Sequence, residues 1–273
     1  MRTTKIRNVF IAGFLSFFAP EFASAADVPV KASVAAPVYD WTGWYFGANA
    51  GYAWGRSSTS SPLGEEGDYL YLPTVVNDIN AQSARTVNSR GWTGGFQLGY
   101  NAQINNFVFG IETDLSAFHL KGNTTANPYF TGYPGPGVPP TYSNSVQTNW
   151  LFTARGRLGF TVNPTMLVYA TGGLAVTDLK YIHTYAEGTT VGSPHGTELS
   201  TASKSKAGFV IGGGLEYALM NHWSVKAEYL YVNFGNVTST GRIVFSDGGR
   251  GYAWPHSANL HASLARIGIN HKF

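Results

Sequence analysis

The chain has 273 residues with no cysteine, 33 glycines, 15% aromatic and 12% charged residues, and a formal net charge of +3. Because the chain has no cysteine, no disulfide can stabilise its fold. After the short N-terminal apolar run, the chain contains no stretch of about 18 apolar residues, which excludes a helical membrane protein. Enrichment in glycine and aromatic residues with many short apolar runs favours an all-β barrel or sandwich.

The first 25 residues have the three parts of a secretory signal peptide. A basic start precedes an apolar run over 9–18, and Ala23-Ser24-Ala25 supplies a small-residue cleavage signal. The apolar run is too short to span a membrane. Cleavage after Ala25 removes three positive charges and one negative charge, so the net charge falls from +3 to about +1. This nearly neutral chain gives no reason to expect nucleic acid as a partner.

Residues 26–40 are rich in proline and small residues and are predicted to form a periplasmic linker before a barrel domain over 41–273. After Trp41, eight segments of about ten residues or more alternate with a period of two, as β-strands do. Each is long enough for a tilted strand to cross a bilayer. The predicted strands cover 44–54, 92–102, 107–118, 150–162, 166–176, 207–219, 223–234 and 258–273.

Short and long connections alternate between these strands. The short ones, at 103–106, 163–165 and 220–222, contain asparagine or proline, as tight turns do. A transmembrane barrel sorts its connections in this way, with short turns in the periplasm and long loops outside. A soluble lipocalin-like barrel is the alternative, and it does not account for the sorting. The long connections are predicted to be surface loops over 55–91, 119–149, 177–206 and 235–257.

The predicted strands have one apolar face and one face that carries charges. In strand 150–162, for example, Phe152 and Phe160 lie on one face, and Arg155 and Arg157 lie on the other. Because unpaired buried charge is costly, a matched set of charges is expected inside a narrow closed barrel. An eight-stranded barrel is filled by side chains, so this set is predicted to plug the lumen. Four acidic and four basic residues form the predicted lumen ionic network: Glu112, Asp114, Arg155, Arg157, Glu216, Lys226, Glu228 and Arg266.

Aromatic residues mark the predicted strand ends. Trp44, Trp92, Trp150, Trp223 and Phe273 occupy these positions, where outer-membrane barrels carry interfacial girdles. The fold class predicted from these patterns is therefore an all-β, eight-stranded antiparallel transmembrane β-barrel in a Gram-negative outer membrane. Both ends of the barrel domain are predicted to lie in the periplasm.

No motif indicates catalysis, a cofactor or a metal. The glycines at 212–214 lie within a strand, and Glu112 and Asp114 fit ionic packing better than acid–base chemistry. Five histidines lie in or beside predicted loops without a metal-ligand spacing, so solvated side chains are expected, with haem or metal binding as the alternative. These histidines are His119, His183, His195, His256 and His261. We therefore expect no enzyme, no catalytic residue, no cofactor and no metal site.

Three stretches resemble a known family. They are "YDWTGWYFGANAGYAWG" (39–55), "GGFQLGYNAQINNFVFGIETDL" (94–115) and "ARIGINHKF" (265–273). They are similar to the 25/31 kDa outer-membrane immunogenic proteins of α-proteobacteria, and the resemblance covers the mature chain. It implies a porin-like, surface-exposed and often antigenic eight-stranded barrel, with haemin binding in some relatives. It also implies that Phe273 is the terminal aromatic residue read by the barrel assembly machinery.

The predicted function is that of a membrane-spanning scaffold that displays its loops for envelope integrity or surface contact. The alternatives are a small-solute porin and a surface receptor for haemin or another ligand. The expected partners are outer-membrane lipid and lipopolysaccharide, the barrel assembly machinery, and haemin or a host surface.

Overall fold

A computed structural model describes residues 39–62, 77, 80–81, 84–127, 139–187, 196–220 and 222–273. The predicted signal peptide and residues 26–38 of the predicted linker lie outside the described residues. In the described part, no helix is long and apolar enough to cross a membrane. Ten antiparallel strands are present: β1 (Gly43–Ser60), β2 (Arg85–Ile104), β3 (Phe107–Phe118), β4 (Lys121–Ala126), β5 (Thr141–Gln147), β6 (Trp150–Asn163), β7 (Met166–Ala186), β8 (Gly196–Ala218), β9 (Trp223–Phe245) and β10 (Arg250–Lys272).

Eight of these strands close into a ring. Their order is β1-β2-β3-β6-β7-β8-β9-β10, and β10 pairs with β1 to complete the circle. This closing pair places Tyr45 opposite Lys272 at one end and Ser60 opposite Ser257 at the other. Closure pairs the edge groups that an open sheet would leave free. The eight-stranded antiparallel barrel predicted from the sequence is confirmed.

The hairpin of β4 and β5 extends the wall where two strands stop early. β3 has 12 residues and β6 has 14, whereas β7 has 21 and β8 has 23. Past the ends of β3 and β6, on the side of Phe118 and Trp150, β4 pairs with β2 at Lys121 and Arg90. On the same side, β5 pairs with β7 from Gln147 to Thr141. The wall therefore continues with eight strands, since β4 and β5 replace β3 and β6.

Two of the four predicted long loops, 177–206 and 235–257, are wrong for most of their length, and parts of 55–91 and 119–149 are also strand. The connections that remain are 61–84, 127–140, 187–195 and 246–249, with two-residue links at 119–120 and 148–149. The connection at 246–249 is a tight turn, in which the Phe245 N–H donates to the Gly249 carbonyl at 2.9 Å. The polar composition misled the prediction, because strands that extend beyond a membrane carry Ser, Thr, Asn and Lys outward, as loops do. The short turns at 105–106, 164–165 and 219–222 lie where they were predicted.

The outward face divides into an apolar band and a polar extension. We call the end with the three short turns the turn end, and the opposite end the loop end. Near the turn end, large apolar side chains point outward, with Phe96 76% and Ile267 70% exposed. Beyond Asp178 in β7 and Lys206 in β8, the outward residues are mostly polar. An outer apolar band with polar surroundings is what a barrel in a lipid bilayer requires.

Candidate functional site

The turn end of the interior is closed by residues that precede β1. Trp41 is buried against Val108, Leu167 and Ala218, and its backbone N–H donates to Gln103 Oε1 at 2.9 Å. Tyr39 meets Trp41 edge-on, with ring centroids 4.8 Å apart, and burial raises the pKa of Tyr39 to about 12. The opening of the "YDWTGW" stretch therefore places two aromatic rings across the turn end.

The eight charged residues of the predicted network are all buried, and each forms an ion pair with another member. We call this set the ionic layer. Arg155 is its most connected cation. Its guanidinium contacts Glu112, lies 3.0 Å from Asp114 Oδ2 and lies 2.9 Å from Glu228 Oε1. Arg157 pairs with Glu216. Because the four positive charges face four carboxylates, the layer is electrically balanced.

Several of these ion pairs cross the interior. Lys226 Nζ in β9 lies 2.9 Å from both carboxylate oxygens of Glu112 in β3, on the opposite side of the ring. Arg266 in β10 donates to Asp114 Oδ1 in β3 at 3.2 Å and to Glu228 Oε2 in β9 at 2.7 Å. Direct side-chain contacts therefore join distant strands at this level of the barrel.

The ionic layer also has uncharged members, which were not predicted from the sequence. The Tyr45 hydroxyl donates to Glu112 at 2.8 Å, and the Tyr169 hydroxyl donates to Glu228 at 3.0 Å. The Arg157 guanidinium also lies 3.7 Å from the centre of the Tyr169 ring. Strand alternation could have identified them, since both tyrosines occupy inward-facing positions, as the charged residues do. Inward glycines make the room: a Cβ atom at Gly99 or Gly214 would collide with one of these phenols.

An apolar layer follows the ionic layer toward the loop end. In β9, Leu230 and Val232 come after Glu228 on the inward face, and in β10 Leu264 lies one inward position beyond Arg266. All three apolar side chains are fully buried. They belong to one core cluster that also includes Leu151 and Val210. This layer was not predicted as separate from the ionic one, because both lie on the same inward strand face.

A third layer, at the loop end, contains His183, Glu198 and His256, which we call the histidine cluster. The three residues come from β7, β8 and β10, and each is at most 4% exposed. His256 Nε2 lies 2.6 Å from Glu198 Oε1, and the two imidazole rings stack with centroids 4.0 Å apart. Burial, together with His256, lowers the pKa of His183 to about 3.

The prediction that the loop-side histidines are solvated is wrong for two of the five. His183 and His256 are buried inside strands, because the ranges predicted as loops continue as strands. His119 stacks on Trp92 with centroids 4.3 Å apart, and His261 lies in β10 opposite Arg56. His195 lies outside the described residues. Glu198 carried no sequence signal, since only the strand register brings it to the two histidines.

The predicted interfacial aromatics lie on the outer surface in two groups. Trp44, Trp223 and Phe273 are 50%, 39% and 67% exposed and lie at the turn end. Trp92 and Trp150 lie where the apolar band ends. Trp92 is 55% exposed, and the backbone N–H of Trp150 donates to Asp178 Oδ1 at 3.1 Å. From Trp44 to the residue opposite Trp92, β1 runs eight residues, or about 27 Å of tilted strand at 3.4 Å per residue. At a tilt of about 40° this length spans about 21 Å along the membrane normal, slightly less than an apolar band of about 25 Å.

The closed ring, its outward apolar band and its inward charges define an integral outer-membrane β-barrel. The family described as "Outer membrane protein beta-barrel domain" matches residues 11–264, and the chain belongs to this family. It is accordingly a protein of the cell outer membrane.

Individual relatives agree with this assignment. The chain is 32% identical to the 31 kDa outer-membrane immunogenic protein of Brucella melitensis, over 98% of this chain and 100% of the relative. It is 28% identical to the 25 kDa outer-membrane immunogenic protein of Brucella abortus, over 86% and 87%. Among solved structures, the outer membrane protein OprG from Pseudomonas aeruginosa is similar at 11% identity and a TM-score of 0.48, over 86% of this chain and 98% of that chain. The family resemblance noted in the sequence is confirmed.

Proposed function

We propose that the protein is a structural outer-membrane barrel with a lumen plugged by side chains, which presents its loop end at the cell surface for contact. The observation that carries this proposal is the succession of buried layers from Trp41 through the ionic and apolar layers to the histidine cluster. Charges paired across the interior and a layer of buried apolar side chains beside them leave little room for a solute. We propose no catalytic role.

Surface display is supported by the relatives and by the polar extension. Two Brucella relatives are named outer-membrane immunogenic proteins, and exposure of the loop end at the cell surface would make this chain accessible to antibodies. The extended strands carry polar residues beyond the apolar band, such as Lys180 and Lys204, which suits contact with lipopolysaccharide or a host surface. Lipid would contact the apolar band, and the barrel assembly machinery would read Phe273.

Electrical recording separates the plugged scaffold from the porin alternative. We expect protein refolded in detergent and inserted into a planar bilayer to show no steady conductance, because the ionic layer joins opposite strands. An open general porin in the same bilayer controls for insertion and sensitivity. Stable channels of uniform conductance would refute the plug.

Haemin binding stays a separate prediction with a narrower structural basis. His183 and His256 are buried and do not reach the surface, which leaves the partly exposed His119 and His261 among the described histidines on the loop side of the apolar band. Haemin titration of the refolded barrel, repeated with His119→Ala and His261→Ala, tests it. The receptor alternative fails if the wild-type protein shows no saturable binding.

A further inference from the structure

The histidine cluster brings together three metal-ligating side chains that are far apart in the sequence. Each of His183, Glu198 and His256 offers one ligand atom, and these atoms lie within 4.8 Å of one another. The register of β7, β8 and β10 holds the three residues inward at one height, since each belongs to the buried parity of its strand. The cluster lies apart from the ionic layer, with the apolar layer between them.

The hydrogen bonding of His183 determines which ring nitrogen carries the proton and which one has a free lone pair. His183 Nδ1 lies 2.9 Å from Asn144 Oδ1, an acceptor that also receives the Tyr181 hydroxyl at 2.7 Å. Nδ1 therefore carries the proton of the neutral ring, and Nε2 is left as the acceptor. This is the arrangement of a metal-binding histidine, whose second nitrogen donates to a neighbouring oxygen.

Three polar atoms of the cluster make no hydrogen bond to any of the described residues. They are His183 Nε2, His256 Nδ1 and Glu198 Oε2. All three belong to fully buried side chains, and a buried polar atom without a partner is costly. A cation bound to His183 Nε2 and Glu198 Oε2 would remove this cost at two of the residues, and His256 would turn from its contact with Glu198 Oε1 to offer a ring nitrogen as the third ligand. No Lys or Arg among the described residues forms an ion pair with Glu198, whose carboxylate contacts His256 instead.

We propose that His183, Glu198 and His256 form a binding site for a divalent transition-metal ion of the Zn²⁺ class. Two imidazoles and one carboxylate are a recurrent zinc ligand set, and imidazole favours Zn²⁺, Cu²⁺ and Ni²⁺ over Mg²⁺ or Ca²⁺. Bond lengths of 2.0–2.2 Å place tetrahedral ligand atoms about 3.4 Å apart, so atoms now within 4.8 Å need to approach by at most about 1.4 Å. Rotation of the side chains supplies a movement of this size.

The bound ion would tie the loop end of the barrel together. Regular pairing of β8 with β9 is interrupted between Thr197 and Phe209, which includes the position of Glu198. β9 approaches Glu198 closely at Gly241, where a Cβ atom would collide with the carboxylate. A metal held by β7, β8 and β10 would bridge this interruption. Because the ligands are buried, we assign the site a structural role.

Metal binding is tested on tag-free, full-length barrel refolded in detergent with and without Co²⁺ or Zn²⁺. We expect one equivalent of Co²⁺ to give the visible absorption of a tetrahedral site, and Zn²⁺ to displace it. His183→Ala, Glu198→Gln and His256→Ala should each weaken Zn²⁺ binding at least about 100-fold, since loss of a second-shell group alone costs 10–100-fold. Asn144→Leu should weaken it by about 10–100-fold.

His261→Ala and His271→Ala serve as matched controls, because both histidines lie in β10 outside the cluster. Heat-dependent gel mobility establishes that each variant is folded. If a cluster variant does not fold, X-ray absorption of the Zn²⁺-loaded wild-type protein decides, and two imidazole ligands are expected. The assignment is overturned if the folded wild-type protein binds no stoichiometric metal, if the controls lose binding equally, or if the spectrum shows fewer than two imidazoles.

Discussion

At the residue scale, the ionic layer shows how buried charge is tolerated inside a barrel. Each carboxylate meets at least one cation, and neutral donors complete its hydrogen bonds. Glu216, for example, accepts from Ser224 at 2.5 Å and from Asn270 at 2.8 Å besides pairing with Arg157. A buried pair with good geometry and full hydrogen bonding can repay its desolvation cost, whereas a broken pair cannot. The layer should therefore respond to single substitutions far more than surface charges do.

Arg155→Met tests this sensitivity. The change removes the cation that contacts Glu112, Asp114 and Glu228 and leaves three buried carboxylates with fewer partners. Because breaking a buried pair leaves an uncompensated charge, we expect the free energy of unfolding to fall by about 3–5 kcal/mol. Urea unfolding of the refolded barrel, followed by tryptophan fluorescence, measures the change.

Lys180→Met is the matched control, since it also deletes a strand cation but on the exposed face of β7. Its effect on the free energy of unfolding should stay within about 0.5 kcal/mol. Equal effects of the two substitutions would contradict the view that the ionic layer is energetically special.

At the element scale, the sequence predicted strand faces well and strand lengths poorly. Alternation depends on which side of the wall a residue faces, and this is local information that a two-residue period preserves. Strand length beyond the membrane is not local. In β7 the inward residues Leu179, Tyr181 and Tyr185 continue the alternation, but the outward ones now include polar residues such as Lys180 and Thr184. Because a hydrophobic outer face is what distinguishes a membrane strand in sequence, a strand with a polar outer face has the composition of a loop.

The same limit explains why the histidine cluster escaped the sequence analysis. Its three residues lie on three strands, and their meeting depends on strand register and on where the loops end. The ionic residues were easier to find, because charges within an apolar strand contrast with their neighbours. His183 and Glu198 occur in stretches rich in Thr, Ser and Tyr, where a polar side chain gives no contrast.

The closing strand β10 permits a prediction about assembly. Phe273 contributes little to the finished fold: its N–H donates to the Trp44 carbonyl at 3.1 Å, and its side chain is 67% exposed. Deletion of Phe273 should lower the stability of protein refolded in vitro by only about 0.5–1.5 kcal/mol, as for one hydrogen bond. In cells, the amount of folded barrel in the outer membrane should fall several-fold, because the terminal aromatic residue is predicted to guide assembly.

Phe273→Tyr keeps an aromatic residue at the last position and is the appropriate control, with near-normal amounts expected in the outer membrane. A deletion variant that accumulates normally as folded barrel would refute the assembly role. A deletion variant that cannot refold in vitro would instead place the residue among the determinants of stability.

At the scale of the whole molecule, the barrel is a stack of differently composed layers inside one continuous wall. The turn end is closed by aromatic rings, the membrane level is ionic, and the level above it is apolar. Nine residues of β7 lie beyond Thr177, or about 30 Å of strand at 3.4 Å per residue. The wall thus continues well past the apolar band, and paired strand, more than loop, forms what projects from the membrane.

This division of the projecting part predicts which proteases attack intact cells. After Lys31, every Lys and Arg of the chain lies within a described strand, and none lies in 61–84, 127–140, 187–195 or 246–249. Paired strands fit poorly into protease active sites, which bind extended, unpaired chain. Trypsin should therefore leave the protein intact on whole cells. Chymotrypsin should cut it, since 61–84 contains Tyr69 and Tyr71, and 127–140 contains Tyr129 and Phe130.

Immunoblots of the cells with an antibody against the turn end would reveal the fragments, and cells with a permeabilised outer membrane supply the comparison. Tryptic fragments that end at Lys180 or Lys204 on intact cells would show that the extended strands are not stably paired. Resistance to chymotrypsin until the outer membrane is opened would reverse the predicted orientation, because the loop end would then lie in the periplasm. The two enzymes thus separate an error in strand length from an error in topology, which composition alone could not distinguish.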